Sequence, residues 1–487
     1  MSQEIRNLEP KVLWNKFADL NAVPRPSKKE DRVIAFMKDF GESLGLETFE
    51  DDIRNVIIRK PATPGMEDRK AIVMQGHLDM VHQKNGDTVF DFDTQGIDMY
   101  VDADWVRARG TTLGADNGLG VAAIMAVLES KDIPHPAIEA LFTIDEETGM
   151  TGALNLKGGI LQGDILLNLD TEEDDEIDIG CAGGIDVTAT AEYDEEATPE
   201  GSVGYKITVK GLKGGHSGMD IHKGLGNANK IMNRLLFDGF DNFGLQISEI
   251  QGGSLRNAIP RESVATVIIA EVYDEAFVYD MQQVVNEVKT ELKTTEPNLE
   301  VVFEKLDTAP ANVMPSIAQF YFVRAMYAAH NGVYSMSADF DDLVETSNNI
   351  AKVVLGSGNL SVQCLTRSSV ETAKFDLANS LRSAFELMGC EVELSGSYPG
   401  WTPNSESEIM DVLVPIYEKQ IGEKPRVVAC HAGLECGILG TNYPDMDMIS
   451  FGPTIHGAHS PDERASISSS QKFWKFLVEI LANIPVK

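Results

Sequence analysis

The chain has 487 residues, 43% of them hydrophobic and 24% charged, which is typical of a soluble globular protein with room for two or three domains. Its formal net charge of −35 argues against nucleic acid and anionic membranes as partners. We expect a cytoplasmic protein, because no apolar run could span a bilayer and the first residues lack a signal-peptide pattern. Five cysteines without CxxC spacing argue against a disulfide framework or a thiolate zinc site.

The first part of the chain, to about residue 185, alternates helical and strand patterns. Apolar spacing predicts an amphipathic helix at 31–44 and a buried helix at 118–130. Short apolar runs predict buried strands at 71–79, 140–147 and 164–172. This alternation predicts an α/β fold with a mixed, mostly parallel sheet flanked by helices.

The pattern changes over residues 186–398, which we interpret as one inserted α+β domain. Alternating apolar and polar residues are typical of half-solvated antiparallel strands, as at 202–212. Two similar series of elements suggest two similar α+β units. Predicted helices lie at 225–238, 275–293, 316–329 and 371–388, and further strands at 245–253, 263–272, 350–356, 360–366 and 390–397.

The α/β pattern returns over residues 399–487. A helix is predicted at 406–421, a buried strand at 445–453 and an amphipathic helix at the end of the chain. The first domain is therefore expected to be discontinuous, with residues 1–185 and 399–487 on either side of the insert.

The three predicted buried strands of the first part each end in charged residues. These residues are His77 and Asp79, then Asp145, Glu146 and Glu147, then Asp170 and Glu172. Ligands of open α/β sheets bind at the carboxyl ends of the strands. A histidine and several carboxylates gathered there would repel one another unless a cation neutralised them. The sequence therefore predicts a metal site at this edge.

Two of these segments allow more specific predictions. Asp79 lies two residues after His77, so it can share a strand face with His77 and accept its other ring proton. Glu146 and Glu147 would point to opposite sides of a strand end, so that one binds metal while the other acts as a general base. The alternative interpretation of His77 is a surface histidine, and that of Glu146 and Glu147 is an exposed turn.

Two loop segments carry further candidate ligands. Asp116 lies in TTLGADNGLG, where glycines permit the close approach of a bridging carboxylate, although a helix N-cap is the alternative. In GPTIHGAHSPDERAS, His456 and His459 compete as ligands, and Asp462 or Glu463 could support His459. The acidic residues from Glu172 to Asp175 are expected to form a solvated loop.

The segments GHLDMV, GADNG, DEETG, NLDTE and HSPDE, in this order, resemble the M20 metallopeptidase family and its aminoacyl-histidine dipeptidase branch. The resemblance covers nearly the whole chain, including residues 210–229 and 431–439. It implies a zinc-peptidase catalytic domain with an inserted lid. The implied assignments are Asp116 as bridging ligand, His77 and Asp170 at one cation, Glu147 and His459 at the other, Asp79 orienting His77, and Glu146 as general base.

The resemblance further implies two divalent cations, with zinc expected and cobalt or manganese as alternatives. The expected function is hydrolysis of Xaa-His or other dipeptides by a homodimer. Candidate substrate contacts are His216 for the oxyanion, Asn257 for a carbonyl, Arg367 for the carboxylate and Glu435 for the free amine.

Three other functions are alternatives to a dipeptidase. The first is an N-acyl amino acid deacylase or carboxypeptidase of the same superfamily. The second is a non-enzymatic metal-binding scaffold, which would not need Glu146. The third is a nucleotide-binding α/β protein, which the absence of GxGxxG after a strand and the negative charge disfavour.

Overall fold

The computed structural model describes residues 3–487, which form two compact units. The first unit comprises the chain up to Gly180 together with Pro403–Ala429 and Leu434–Lys487, and the second comprises Cys181–Thr402 and Cys430–Gly433. The predicted boundaries after residues 185 and 398 fall close to these junctions. Nothing in the sequence predicts that Cys430–Gly433 belongs to the second unit. Residues 1 and 2 of the predicted first segment lie outside the described residues.

An eight-stranded mixed sheet forms the centre of the first unit. In spatial order its strands are Glu47–Glu50, Val56–Lys60, Ile138–Thr143, Ile72–His77, Ile165–Asn168, Asp447–Ser450, Glu176–Cys181 and Arg426–Cys430. The four strands from Ile138–Thr143 to Asp447–Ser450 are parallel to one another. Antiparallel strands flank them on both sides. The predicted α/β class is confirmed, with the parallel pairing confined to the middle of the sheet.

The central strands are fully buried because helices cover the sheet. Every residue of Ile72–His77, Ile138–Thr143 and Ile165–Asn168 is buried. The apolar helix Ala115–Glu129 is buried from Asn117 to Leu128. The other helices of the unit are Gln3–Arg6, Lys11–Leu20, Asp31–Ser43, Glu146–Gly149, Thr151–Asn155, Glu408–Ile421, Glu435–Asn442 and Ile467–Ala482.

A second, four-stranded sheet in the first unit was not predicted. Its strands, in spatial order, are Ile455–His456, Arg464–Ser466, Trp105–Ala108 and Met99–Asp102. Strands of two to four residues are too short to produce a recognisable alternation of apolar and polar residues.

The second unit contains a nine-stranded antiparallel sheet. In spatial order its strands are Glu300–Lys305, Ser202–Lys210, Ser263–Ala270, Gln246–Gly252, Val344–Gly356, Asn359–Ser368, Gly183–Glu192 and Glu391–Tyr398, and Gly332–Met336 pairs with Val344–Gly356. The helices are Ala228–Phe243, Asp274–Glu291, Ser316–Ala328 and Glu371–Glu386. Short pieces are the strands Glu196–Ala197, Gly215–His216, Ala258–Ile259 and Asn312–Val313 and the 3₁₀ turns Ile221–Lys223 and Glu271–Tyr273.

Apart from the additional strand Gly332–Met336, two series of the same β-α-β-β-α-β order build this sheet. The first series runs from Ser202–Lys210 to Glu300–Lys305, and the second takes Gly183–Glu192 as its first strand and continues from Ser316–Ala328 to Glu391–Tyr398. The two series mirror each other in spatial order and meet where Ile250 pairs with Leu355. Each series therefore forms one half of the sheet.

Across residues 3–487, no helix combines the length and the apolar character needed to cross a membrane.

Candidate metal centre

His77 is the last residue of a central parallel strand and is 1% exposed. Its Nε2 lies 3.1 Å from Asp116 Oδ1 and 3.5 Å from Asp170 Oδ1. Ligand atoms of these three residues all lie within 4.8 Å of one another. They therefore form one group of the size and chemistry that a cation requires.

His459 lies on the other side of the same carboxylate. Its Nε2 is 3.2 Å from Asp116 Oδ2 and 3.0 Å from Glu147 Oε2. Asp116, Glu147 and His459 form a second compact group of potential ligands. Because each oxygen of Asp116 faces a different imidazole, this side chain has the geometry of a bridging ligand.

Close packing of glycine and asparagine places Asp116 beside Asp170. A Cβ on Gly120 would lie 2.3 Å from the Leu169 carbonyl oxygen, so only glycine lets this helix approach the strand segment that carries Asp170. Asn117 donates hydrogen bonds to Leu169 O at 2.6 Å and to Asp170 Oδ1 at 2.5 Å. The contact of Asn117 with Asp170 was not predicted from the sequence, although the position of Asn117 directly after Asp116 in a glycine-rich turn was a usable signal.

Glu146 and Glu147 do not lie at a strand end, and that part of the prediction is wrong. The strand ends at Thr143, Asp145 has a positive φ of 51°, and Glu146–Gly149 is a single helical turn. A run ending in DEETG favours such a turn because the carboxylates lie at the N-terminus of the helix. His77, Glu146 and Glu147 form a further compact group of potential ligands.

Asp79 connects His77 to this turn. Its Oδ1 lies 3.5 Å from His77 Nδ1, and its carboxylate accepts hydrogen bonds from the backbone N–H groups of Glu146 at 3.0 Å and Glu147 at 3.3 Å. Asp79 is fully buried, and it lies after the strand rather than on its face. His77 Nδ1 lies closer to the backbone carbonyl oxygen of Asp79, at 3.2 Å, so Asp79 contacts both a candidate ligand and the turn that carries two more acids.

The two competing histidines have different surroundings. His456 lies against Trp105 with ring centroids 5.1 Å apart, and its Nε2 is 3.5 Å from Glu173 Oε1. His456 is in none of the compact ligand groups found among residues 3–487, whereas His459 is in one. Glu463 supports the backbone of residues 113–116 rather than His459, as described below.

The acidic loop is less solvated than the sequence suggested. Asp174 pairs with Lys472 at 2.7 Å, and Asp175 pairs with Arg426 at 3.0 Å. Burial, followed by the charge of Asp116, raises the pKa of Glu172 to about 8. Glu172 is therefore an additional carboxyl group beside the candidate ligands.

The carboxyl and imidazole groups of the cluster have strongly shifted pKa values. Burial raises the pKa of Glu146 well above its usual range and raises that of Glu147. Hydrogen bonds to Asp116 and Glu147 raise the pKa of His459 to about 11, and the neighbouring carboxylates outweigh burial to raise that of His77. Glu147 Oε1 is buried without a hydrogen-bond partner in the described part of the chain. Such a donor set fits two divalent cations.

The predicted substrate contacts lie in both units. His216, Asn257 and Arg367 belong to the second unit, where Asn257 is exposed and Arg367 is 4% exposed. Glu435 belongs to the first unit and is fully buried. Its Oε2 accepts hydrogen bonds from Gln75 at 2.6 Å and Thr143 at 2.7 Å, and burial raises its pKa to about 7.

Comparison with known proteins places this site in a family. The family model described as Peptidase family M20/M25/M40 matches residues 73–483. The cytosol non-specific dipeptidase of Escherichia coli (strain K12) is 43% identical over 487 residues, covering 99% of this chain and 100% of the relative. The crystal structure of aminoacylhistidine dipeptidase from Vibrio alginolyticus has 45% identity and a TM-score of 0.94, with 99% of each chain covered.

A more distant structure shares the fold alone. Aminopeptidase PepT from Bacillus cereus is 17% identical, with a TM-score of 0.56 and 98% of each chain covered. The long family match and the full-length relatives confirm the resemblance that the five sequence segments carry. The chain therefore belongs to peptidase family M20/M25/M40.

Proposed function

We propose that this protein is a dipeptidase that hydrolyses short peptides at a centre of two divalent cations, with zinc as the expected metal. The observation that carries the proposal is the pair of ligand groups that share Asp116. The names of the two full-length relatives, a non-specific dipeptidase and an aminoacylhistidine dipeptidase, support Xaa-His or other dipeptides as substrates. The Escherichia coli relative is a cytosol dipeptidase, which supports a cytoplasmic location for this protein.

In this proposal Asp116 bridges the cations, His77 and Asp170 complete one site, and Glu147 and His459 complete the other. Imidazole and carboxylate ligands suit zinc and also cobalt and manganese. When bound, two such cations supply a water of lowered pKa and an electrophile for the peptide carbonyl.

Glu146 is assigned to proton transfer. Its Oε2 lies 4.0 Å from His77 Nε2, at the edge of the candidate site. Burial raises its pKa, so its carboxylate can take a proton from the attacking water and then deliver it to the leaving amine. Asp79 fixes the turn on which Glu146 lies.

His216 is assigned as the donor to the oxyanion. Its Nδ1 accepts hydrogen bonds from the backbone N–H groups of Gly218 at 3.2 Å and Met219 at 3.0 Å. Burial lowers its pKa to about 4, so the ring is neutral near pH 7. The proton of this neutral ring must then be on Nε2, which leaves that atom as a hydrogen-bond donor.

Arg367 is assigned to the substrate carboxylate. Its Nη1 donates a hydrogen bond to the Tyr398 hydroxyl at 2.9 Å, and its buried Nε lacks a partner among the described residues. A buried guanidinium with spare donors suits a carboxylate, which it can bind with two parallel hydrogen bonds. The exposed amide of Asn257 is proposed for the substrate carbonyl.

Glu435 is proposed to receive the free amine of the substrate. Its Oε1 is buried and has no hydrogen-bond partner in the part of the chain described. A homodimer is also proposed, and it rests on the family resemblance alone.

The substrate class can be tested with the purified protein. We expect hydrolysis of dipeptides, including β-Ala-His, to stop when the metal is removed with a chelator and to return when Zn²⁺, Co²⁺ or Mn²⁺ is added. Amine release from a panel of dipeptides and N-acyl amino acids measures both properties. Cleavage of N-acyl amino acids alone would favour the deacylase alternative, and chelator-resistant activity would contradict the proposed centre.

The role of Glu146 can be separated from metal binding. We expect Glu146→Gln to lower kcat about 10²- to 10⁴-fold because the general base is lost, while both cations stay bound. Steady-state kinetics and metal analysis on the same sample measure the two effects. Glu173→Gln, which removes a partly exposed carboxylate outside the ligand groups, should keep normal turnover. Normal turnover by metal-loaded Glu146→Gln would refute the assignment.

Metal affinity should depend on pH in a defined direction. The carboxylates around His77 and His459 raise the pKa values of both imidazoles, that of His459 to about 11, so protons compete with cations for these ligands. We therefore expect the apparent affinity to rise with pH between 6 and 8, by about ten-fold per pH unit for each proton displaced. Calorimetric titration in buffers of different ionisation enthalpy counts these protons. An affinity that does not change with pH would contradict the ligand assignment.

A further inference from the structure

Two buried charged side chains hold the backbone of residues 113–116, here named the bridging turn because it ends at Asp116. They are Arg25 on one side and Glu463 on the other, and the proposed catalytic scheme uses neither. Arg25 is 1% exposed and Glu463 is 2% exposed. Both side chains bind backbone atoms of the turn that carries the carboxylate of Asp116.

Glu463 binds the backbone N–H groups of the whole bridging turn. Its Oε2 accepts from Leu113 at 2.7 Å and Gly114 at 2.9 Å, and its Oε1 accepts from Ala115 at 2.7 Å and Asp116 at 3.3 Å. Four successive N–H groups around one carboxylate form an anion-binding nest. Both oxygens are used, so a side-chain amide, which has one acceptor oxygen, cannot replace the carboxylate fully.

Arg25 binds carbonyl oxygens of the same turn and of the segment after His77. Its Nη2 donates to Gly114 O at 2.5 Å, and its Nη1 donates to Leu78 O at 3.1 Å and Asp79 O at 3.0 Å. One rigid guanidinium thus connects the two segments that carry His77 and Asp116. A Cβ on Gly114 would lie 2.6 Å from Nη2, and Gly114 has a φ of 69°, so glycine is required there.

The same guanidinium provides a permanent positive charge among buried carboxylates. Burial lowers the pKa of Arg25 to about 10, so it remains charged at neutral pH. Glu463 is the strongest of the negative charges that act on it, followed by Asp79, Asp116 and Glu147. Glu463 also lies four positions after His459, so its contacts fix the segment that carries this ligand to the bridging turn.

We propose that Arg25 and Glu463 are positioning residues that hold the bridging turn so that the two Asp116 oxygens face His77 and His459, and that they thereby set the affinity for divalent cations. The inference rests on the two-cation centre of the proposed function. Without these contacts the turn would have to be ordered when a cation binds, which lowers affinity. Supporting residues behind metal ligands typically contribute about 10- to 100-fold in metal affinity or activity.

A second carboxylate in the first unit offers a matched control. Glu139 is 7% exposed, accepts hydrogen bonds from the backbone N–H groups of Gln162 at 2.6 Å and Gly163 at 3.0 Å, and pairs with Arg59 at 2.9 Å. It therefore holds a turn in the same way as Glu463 does. It belongs to none of the ligand groups found in the described chain.

The test compares Glu463→Gln with Glu139→Gln in the full-length protein. We expect metal-depleted Glu463→Gln to bind Zn²⁺ and Co²⁺ about 10- to 100-fold more weakly than the wild type in calorimetric titrations. Its Co²⁺ absorption spectrum should also change, because the bridging carboxylate is displaced. Glu139→Gln should keep the wild-type affinity and spectrum even if its melting temperature falls as much.

A second variant covers the case in which Glu463→Gln does not fold. Arg25→Lys retains the charge but cannot make all three carbonyl contacts in one plane, so it should also weaken binding and alter the Co²⁺ spectrum. Wild-type affinity in folded Glu463→Gln or Arg25→Lys, or an equal loss in Glu139→Gln, would overturn the inference. If instead the wild type binds no cation, or His77→Ala binds as well as the wild type, the proposed centre itself fails.

Discussion

The carboxylate of Asp116 lies between two imidazoles, and the rest of the catalytic arrangement depends on that position. Its two oxygens lie about equally far from His77 Nε2 and His459 Nε2, at 3.1 Å and 3.2 Å. These histidines are far apart in sequence, one at the end of a central strand and the other in a loop near the end of the chain. One side chain therefore brings two distant segments to a common centre, and a displacement of Asp116 would disturb both groups of ligands.

Strand ends and hydrogen-bonded turns of the first unit carry the ligands and fix their positions. Parallel central strands end together at one edge of the sheet, where His77 terminates its strand and Asp170 follows Ile165–Asn168. Asn117 binds Asp170, and Asp79 binds the turn of Glu146 and Glu147. Burial, followed by the negative charges of neighbouring carboxylates, raises the pKa values of Glu146 and Glu172. Bound cations would offset the repulsion among these carboxylates.

Much of this arrangement can be predicted from the sequence because apolar strand patterns reveal where strands end. His77 and Asp170 lie at the ends of apolar runs, so their convergence follows from parallel pairing. The local structure of Glu146 could not be predicted in this way, because the short helix after Thr143 has no periodic pattern. Arg25 was not predicted, and Glu463 was predicted to support His459 rather than the bridging turn, because their partners are backbone atoms distant in sequence that no residue type reveals. The choice between His456 and His459 likewise needed the surrounding side chains.

The number of bound cations in ligand variants tests the bridging role of Asp116 most directly. Metal analysis of the wild-type protein after equilibrium dialysis should give two cations per chain. Asp170→Asn and Glu147→Gln should each lose one cation, because each changes a ligand of a single site. Asp116→Asn should weaken both sites together. A variant Asp116→Asn that retains one cation at wild-type affinity, or both, would contradict the account.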